Sequence, residues 1–106
     1  MFQALEVSLD LVQSLRRPVA LVRNRDRDLS QQIRRAASSI ALNIAEGRER
    51  AGAGRTHHWR IAAGSAAEVR AALRVAIAWG DVEDRDVARA LGLLDRVLAM
   101  LWRMTH

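Results

Sequence analysis

Residues 29–47 read LSQQIRRAASSIALNIAEG, and this stretch decides the fold. Apolar side chains recur in it every three or four residues, a spacing that places them on one side of an α-helix. They belong to Leu29, Ile33, Ala36, Ala37, Ile40 and Ile44. Asp28 stands where an N-cap is expected and Gly47 where a C-cap is expected, so the pattern predicts a helix over residues 28–47.

The same spacing extends along the rest of the chain and predicts three more helices. They cover residues 2–23, 55–80 and 84–104, with residues 48–54 as a basic, flexible loop. Pro18 predicts a kink in the first helix, with an outright break as the alternative, because proline removes a backbone donor. We expect Thr56 and Gly80 to cap the third helix. The predicted core stripe of the first helix is Leu5, Leu9, Val12, Leu15, Val19 and Val22.

Composition points to one small helical domain. The 106 residues are half hydrophobic and include only six glycines and one proline, which is too little turn chemistry for a strand-rich fold. We therefore predict a single all-α domain over residues 1–106, and an antiparallel up-down-up-down four-helix bundle is its simplest arrangement. The absence of cysteine excludes disulfides, thiolate metal sites and a cysteine nucleophile. Neither a membrane span nor a secretory leader is evident, so we expect a cytoplasmic location.

The charge is distributed unevenly. All 17 basic residues are arginine, and the net charge is +5. Residues 1–60 hold eleven arginines against six acids, whereas residues 61–106 hold six of each, so the whole excess lies in the first part. This asymmetry favours an anionic partner such as RNA or DNA, although a compositional preference for arginine would produce the same excess. The candidate nucleic-acid-binding residues are Arg16, Arg17, Arg23, Arg25, Arg27, Arg48, Arg50, Arg55 and Arg60.

A polar stripe lies beside the apolar stripe of the second predicted helix. Small and polar residues of the third predicted helix are expected to pack against it. The set consists of Gln32, Arg35, Ser39, Asn43, Glu46, Ser65 and Glu68. These residues are either half-exposed at the edge of a solvated face, or a buried network that sets helix register or a subunit interface. Arg35 and Glu68 are a plausible ion pair in the second case.

Residues 29–47, the following basic glycine-containing loop and residues 61–68 (IAAGSAAE) together resemble one bacterial family. The pattern of glutamine, Arg-Arg-Ala, Ser-Ile, Asn-Ile-Ala-Glu-Gly and Ala-x-Gly-Ser-x-x-Glu is similar to that of the 23S ribosomal RNA intervening-sequence proteins. The resemblance covers nearly the whole chain. It departs at the first connection, where many relatives have a Phe-Pro pair and this chain has Arg-Asn-Arg-Asp-Arg-Asp after an earlier Pro18.

The resemblance implies a four-helix bundle that assembles into a ring-like homopentamer. The family is similar to the accessory variability determinant of diversity-generating retroelements, which binds nucleic acid and a reverse transcriptase, so RNA, DNA or such a protein are the implied partners. The motif residues that carry over are Gln32, Arg35, Ser39, Asn43, Glu46, Gly47, Gly64, Ser65 and Glu68. We interpret most of them as architectural, since hydroxyls, an amide and one ion pair suit packing better than chemistry.

Catalytic and metal sites are not predicted. No histidine lies at helical spacing from Ser38, Ser39 or Ser65, so a serine nucleophile would lack a base. Glu46 and Glu68 lack the Glu-x-x-His spacing of di-metal bundles. His57 and His58 are interpreted as solvent-facing or close to bound phosphate, and the three tryptophans as packing residues more readily than base-stacking platforms. Two functions therefore remain: an oligomeric nucleic-acid-binding module without catalytic or cofactor residues, or a protein-interaction scaffold with no nucleic-acid role.

Overall fold

Five helical segments make up the chain in the computed structural model, which describes residues 2–106. They are α1 (Gln3–Ser14), α2 (Arg16–Arg23), α3 (Arg27–Glu49), α4 (Gly52–Trp79) and α5 (Asp84–Thr105). The described residues form no strand, which confirms the all-α prediction, and they pack as a helical bundle. Met1, which the predicted domain includes, lies outside the described residues.

The first predicted helix is broken rather than kinked, and the break lies before the proline. Leu15 separates α1 from α2, and its N–H donates to the carbonyl oxygens of both Leu11 and Val12 at 3.1 Å. Pro18 is then the third residue of α2, within its first turn, where a missing N–H leaves no helical hydrogen bond unmade. The interruption therefore comes one turn earlier than the kink that the sequence predicted.

The buried side of α1 also differs from the prediction. Ala4, Val7, Ser8 and Leu11 are buried there, whereas Leu9 remains 45% exposed. This stripe is rotated by most of a right angle from the predicted one, because α1 carries apolar residues around much of its circumference and the small Ala4 and Ser8 permit close approach to neighbouring helices. Leu5, Val12 and Val19 flank the core as half-buried side chains.

The helix ends around α3 and α4 correct several expectations. Asp26, not Asp28, caps α3, since its Oδ1 accepts from the Leu29 N–H at 2.9 Å. The helix continues past Gly47, so the predicted loop over residues 48–54 shrinks to the two residues between α3 and α4, and Thr56 lies inside α4. Gly80, with φ of +79°, ends α4 as predicted.

The core runs along the centre of a body measuring 42 × 22 × 21 Å. α3 packs most extensively on α4 and also contacts α1 and α2, while α5 closes the bundle against α1 and α4. All six residues of the predicted α3 stripe are buried, as expected. The largest fully buried side chains are Leu11, Ile33, Ile40, Ile44, Leu73, Leu94, Leu101, Val22, Val69, Val87, Val97 and Pro18.

Candidate functional site

The nine candidate arginines fall into two groups. Arg16, Arg17, Arg23, Arg25 and Arg27 lie on α2, in the turn after it and at the start of α3. The second group comprises Arg48, Arg50, Arg55 and Arg60. With a rise of about 1.5 Å per residue, α3 separates Arg27 from Arg48 by roughly 30 Å, so one chain does not bring the nine into a single patch.

Protein groups engage most of the second arginine group. Arg50 donates to Glu46 Oε1 through Nη2 at 2.7 Å and through Nε at 3.0 Å. Arg55 donates to the carbonyl oxygens of Gly47 and Arg48 at 3.2 and 3.1 Å, and thereby caps the C-terminus of α3. The guanidinium of Arg48 lies 4.8 Å from the centre of the Phe2 ring. These three arginines therefore have structural roles in the chain itself.

The contact with Arg50 changes the pKa of the Glu46 carboxyl group. Hydrogen bonds from Arg50 and its positive charge lower the pKa of Glu46 below its ordinary value, and the charge of His58 adds to the effect. Because both members of the pair are about half exposed, solvent screens the interaction strongly.

The first arginine group is free of such contacts. All five side chains are exposed, and none of them takes part in an ion pair or donates a side-chain hydrogen bond within residues 2–106. Each guanidinium therefore keeps its five donors available for an external acceptor, and the planar arrangement of those donors suits a phosphate.

Part of the predicted polar network is joined by hydrogen bonds across the contact of α3 with α4. Ser65 Oγ donates to Ser39 Oγ at 2.9 Å, and Asn43 Nδ2 donates to the same oxygen at 3.1 Å. Asn43 Oδ1 lies 2.9 Å from His58 Nδ1 and accepts a hydrogen bond from it in the tautomer that carries a proton on Nδ1. We call these four residues the polar chain.

His58 is a member of the polar chain that the sequence did not predict. The sequence-based expectation places both His57 and His58 facing solvent or close to bound phosphate, whereas only His57 of the two is exposed. The spacing carried a usable signal, because His58 and Ser65 are seven residues apart and so lie on one side of a helix that already begins at Gly52.

The remaining predicted members lie outside this chain of hydrogen bonds. Gln32, Arg35 and Glu68 are exposed. The ion pairs within residues 2–106 do not include one between Arg35 and Glu68. Glu46 pairs with Arg50 instead. Arg35 and Leu42 are seven residues apart on α3, and Ile61 and Glu68 are seven apart on α4, so each of these exposed apolar side chains shares a helix side with an exposed charge.

Gly47 owes its place to close packing rather than to helix termination. A Cβ atom at this position would lie 2.4 Å from Trp59 Nε1 and 3.1 Å from the Arg55 carbonyl oxygen. Trp59 Nε1 donates to the Ile44 carbonyl oxygen at 3.2 Å, so the indole lies directly against α3. Trp79 and Trp102 are different, since they are 76% and 61% exposed. The three tryptophans therefore do not share one environment.

A protein-family model matches most of this chain. The model described as 23S rRNA-intervening sequence protein matches residues 2–103, nearly the full length of the chain. The chain belongs to this family. No curated protein and no solved structure matches it. The matched region contains the polar chain and both groups of arginines.

Residues 2–106 contain neither a metal-binding cluster nor a membrane-spanning helix. No group of three or more histidine, aspartate or glutamate side chains in that range is arranged to hold a metal ion. None of the helices in that range combines the length and apolar character that crossing a bilayer requires.

Proposed function

We propose that this chain is a non-enzymatic, homo-oligomeric helical bundle that binds RNA or DNA through its arginine-rich surface. We further propose that it acts in the cytoplasm as an accessory to RNA or reverse-transcriptase machinery. The observation that carries the proposal is the first arginine group, whose five exposed guanidinium groups lack any protein partner within residues 2–106.

Arginine chemistry supports a nucleic-acid ligand over a generic solubilising role. Guanidinium groups bind phosphate oxygens through two parallel hydrogen bonds and also stack on bases, whereas ammonium groups act as point charges. In the second arginine group, Arg50 and Arg55 donate hydrogen bonds to protein acceptors within reach. The first group has no such acceptor within residues 2–106, so its donors are available to an external ligand.

The proposed arrangement of the helices is antiparallel, up-down-up-down, with the broken α1 and α2 as one of four rods. Register supports it for α3 and α4: Ser39 pairs with Ser65, and Asn43, further along α3, pairs with His58, which comes earlier in α4. Short connections of two to four residues between successive rods favour the same arrangement.

Assembly into a ring-like homopentamer is proposed to use the outer side of α3 and α4. That side exposes Leu42 at 68% and Ile61 at 38%, next to the unpaired Arg35 and Glu68. Apolar side chains flanked by opposite charges are suited to burial between copies, where Arg35 of one copy would meet Glu68 of the next. Repetition around a ring would multiply the field of a subunit that carries +5.

A protein-interaction scaffold is the second candidate function. The exposed side chains of Val75 and Trp79 on α4 favour it, because large apolar groups left in solvent are typical of surfaces that other proteins cover. In that case the arginines would serve solubility alone.

Size-exclusion chromatography with light scattering tests both candidates. The protein is run alone and with mixed-sequence RNA or DNA, at about 50 and about 200 mM salt. A nucleic-acid-dependent shift that disappears at the higher salt is expected, since phosphate contacts release counterions. A particle of constant size that ignores nucleic acid at both salt concentrations would remove the binding role and favour the scaffold.

A further inference from the structure

A groove follows the contact of α2 with α3 on the side away from the polar chain. It consists of two adjoining depressions of about 400 and 260 Å³ that share Val19 and Arg34 in their walls. Arg16 joins Arg34 at one end, and Arg23 and Arg27 line the other. We call these four residues the groove arginines. Three belong to the first arginine group, and Arg34 is a residue that sequence analysis left out of its candidates.

The groove arginines are unopposed. No carboxylate is among the residues of the 2–106 range that line either depression. None of the four guanidinium groups forms an ion pair or a side-chain hydrogen bond within that range. Asp26 and Asp28 flank Arg27 in sequence, but neither lines the groove, and Asp26 is occupied as the N-cap of α3. Four positive charges around one groove repel one another, so a bound polyanion would reduce this electrostatic repulsion in the folded chain.

The floor of the larger depression is apolar. Val12, Leu15 and Ala37 line it beside Arg16 and Arg34, and Val12 and Val19 are half-buried there. A ligand that presents phosphates alone would leave this floor in water. A single-stranded nucleic acid presents both phosphates and unstacked base faces, whereas a duplex keeps its base faces covered.

The length of the groove suits a short run of nucleotides. Arg16 and Arg23 are seven residues apart on α2, as are Arg27 and Arg34 on α3, and seven residues of helix span about 10 Å. A strand bound along that distance presents more than one phosphate. Two parallel rows of two guanidinium groups can therefore contact successive phosphates of one strand.

The geometry points to the groove between α2 and α3 as a binding site for single-stranded nucleic acid. Successive phosphates of the strand contact Arg16, Arg23, Arg27 and Arg34, and base faces lie over Val12 and Val19. This inference rests on the proposed nucleic-acid-binding function and gives it a location, a strandedness and one additional residue, Arg34.

Binding measured by fluorescence anisotropy tests the site. The probes are a short mixed-sequence single strand, as RNA and as DNA, the matching duplex, and polyglutamate. The groove variant carries Arg16→Gln, Arg23→Gln, Arg27→Gln and Arg34→Gln. A matched control carries Arg74→Gln, Arg89→Gln, Arg96→Gln and Arg103→Gln, four exposed arginines of α4 and α5, so both proteins lose the same charge. Circular dichroism and light scattering verify that both keep the fold and assembly of the parent.

The expected result is a loss of single-strand affinity of at least about tenfold at low salt in the groove variant, with much less change in the control. The slope of log affinity against log salt concentration should also decrease in magnitude by about 3, because each of the four lost contacts to a single strand contributes about 0.7. The parent should bind either single strand more tightly than the duplex or polyglutamate, and a preference between RNA and DNA would show whether the 2′-hydroxyl is read.

Three outcomes would overturn the inference, and they separate it from the proposed function. Equal losses in the groove variant and the control would mean that net charge alone drives binding. Parent affinity for polyglutamate equal to that for the single strand would indicate an acidic protein partner instead. In both cases nucleic-acid binding itself can persist. A parent that binds no nucleic acid even at low salt would remove the proposed function together with the site.

Discussion

The two flanks of α3 use polar residues in opposite ways. Toward α4, Ser39 and Asn43 meet Ser65 and His58, and each polar group finds its partner inside the chain. Toward α2, Arg27 and Arg34 line a groove with no carboxylate among its described lining residues. The α4 flank therefore fits a structural role and the α2 flank a binding role. Residue type alone does not distinguish the two, because both flanks are polar in sequence; the presence or absence of an internal partner does.

The largest expected effect comes from a substitution at the closest contact on the α4 flank of α3. Gly47→Ala would place a methyl group 2.4 Å from Trp59 Nε1 and force the indole or the backbone of α4 to move. We expect a loss of about 1–3 kcal/mol in the free energy of unfolding, measured by urea denaturation. Gly64→Ala is the matched control, since nothing lies within 4 Å of the added atom, and the better helix propensity of alanine should leave it neutral or up to about 1 kcal/mol more stable. A Gly47→Ala protein as stable as the parent would show that the contact of α3 with Trp59 is loose.

Removing the middle of the polar chain should have the next largest effect. Asn43→Ala deletes the groups that contact both Ser39 and His58, so we expect a loss of about 1 kcal/mol in the free energy of unfolding. Gln32→Ala, at an exposed position on the same helix, should change stability by less than about 0.5 kcal/mol. Equal changes in the two variants would mean that the hydrogen bonds of the polar chain do not stabilise the fold.

Neutralising one groove arginine should leave the fold almost unchanged. Arg34→Gln removes a guanidinium that has no partner within residues 2–106, so we expect a change in the free energy of unfolding below about 0.5 kcal/mol, by urea denaturation. A clear destabilisation would assign the α2 flank a structural role and erase the contrast between the two flanks.

The smallest effect concerns the pH response of Glu46. Its pKa in the folded protein is lowered mainly by hydrogen bonds from Arg50, so this contact stabilises the fold above the pKa of the unfolded chain and is lost as pH falls through the folded pKa. Titration of the Glu46 carboxyl by NMR should give a value below the ordinary range in the parent and a return toward that range in Arg50→Gln. An identical titration curve in the two proteins would show that the ion pair does not persist in solution.

The sequence predicted α3 well because most of its large apolar residues fall on one side, with Leu42 as the exception. Residues such as Ile33, Ile40 and Ile44 leave no ambiguity about which side is buried. The sequence predicted α1 less well because its apolar residues cover more than one side of the helix, and only packing against α5 and α3 selects Ala4, Val7 and Leu11.

Long-range contacts account for the other differences. Gly47 looks like a helix terminator in the sequence, yet its lack of a side chain accommodates Trp59 from the next helix. His58 and Asn43 lie 15 residues apart on different helices, so their contact depends on how α3 packs against α4 and not on the pattern of either helix alone. The groove arginines were predicted in part, but Arg34 belongs with Arg16 only once α2 lies alongside α3, a pairing that no local pattern records.

Photo-crosslinking of a single-stranded oligonucleotide that carries a photoreactive base, followed by mass spectrometry, tests the central claim most directly. The claim is that the α2 flank of α3 binds nucleic acid while the α4 flank holds the fold together. The account predicts crosslinks on α1, α2 and the first half of α3, at groove residues such as Val12, Val19 and Ser38, and their disappearance when the groove arginines are neutralised. Crosslinks concentrated on the α4 flank, or unchanged in the groove variant, would contradict it.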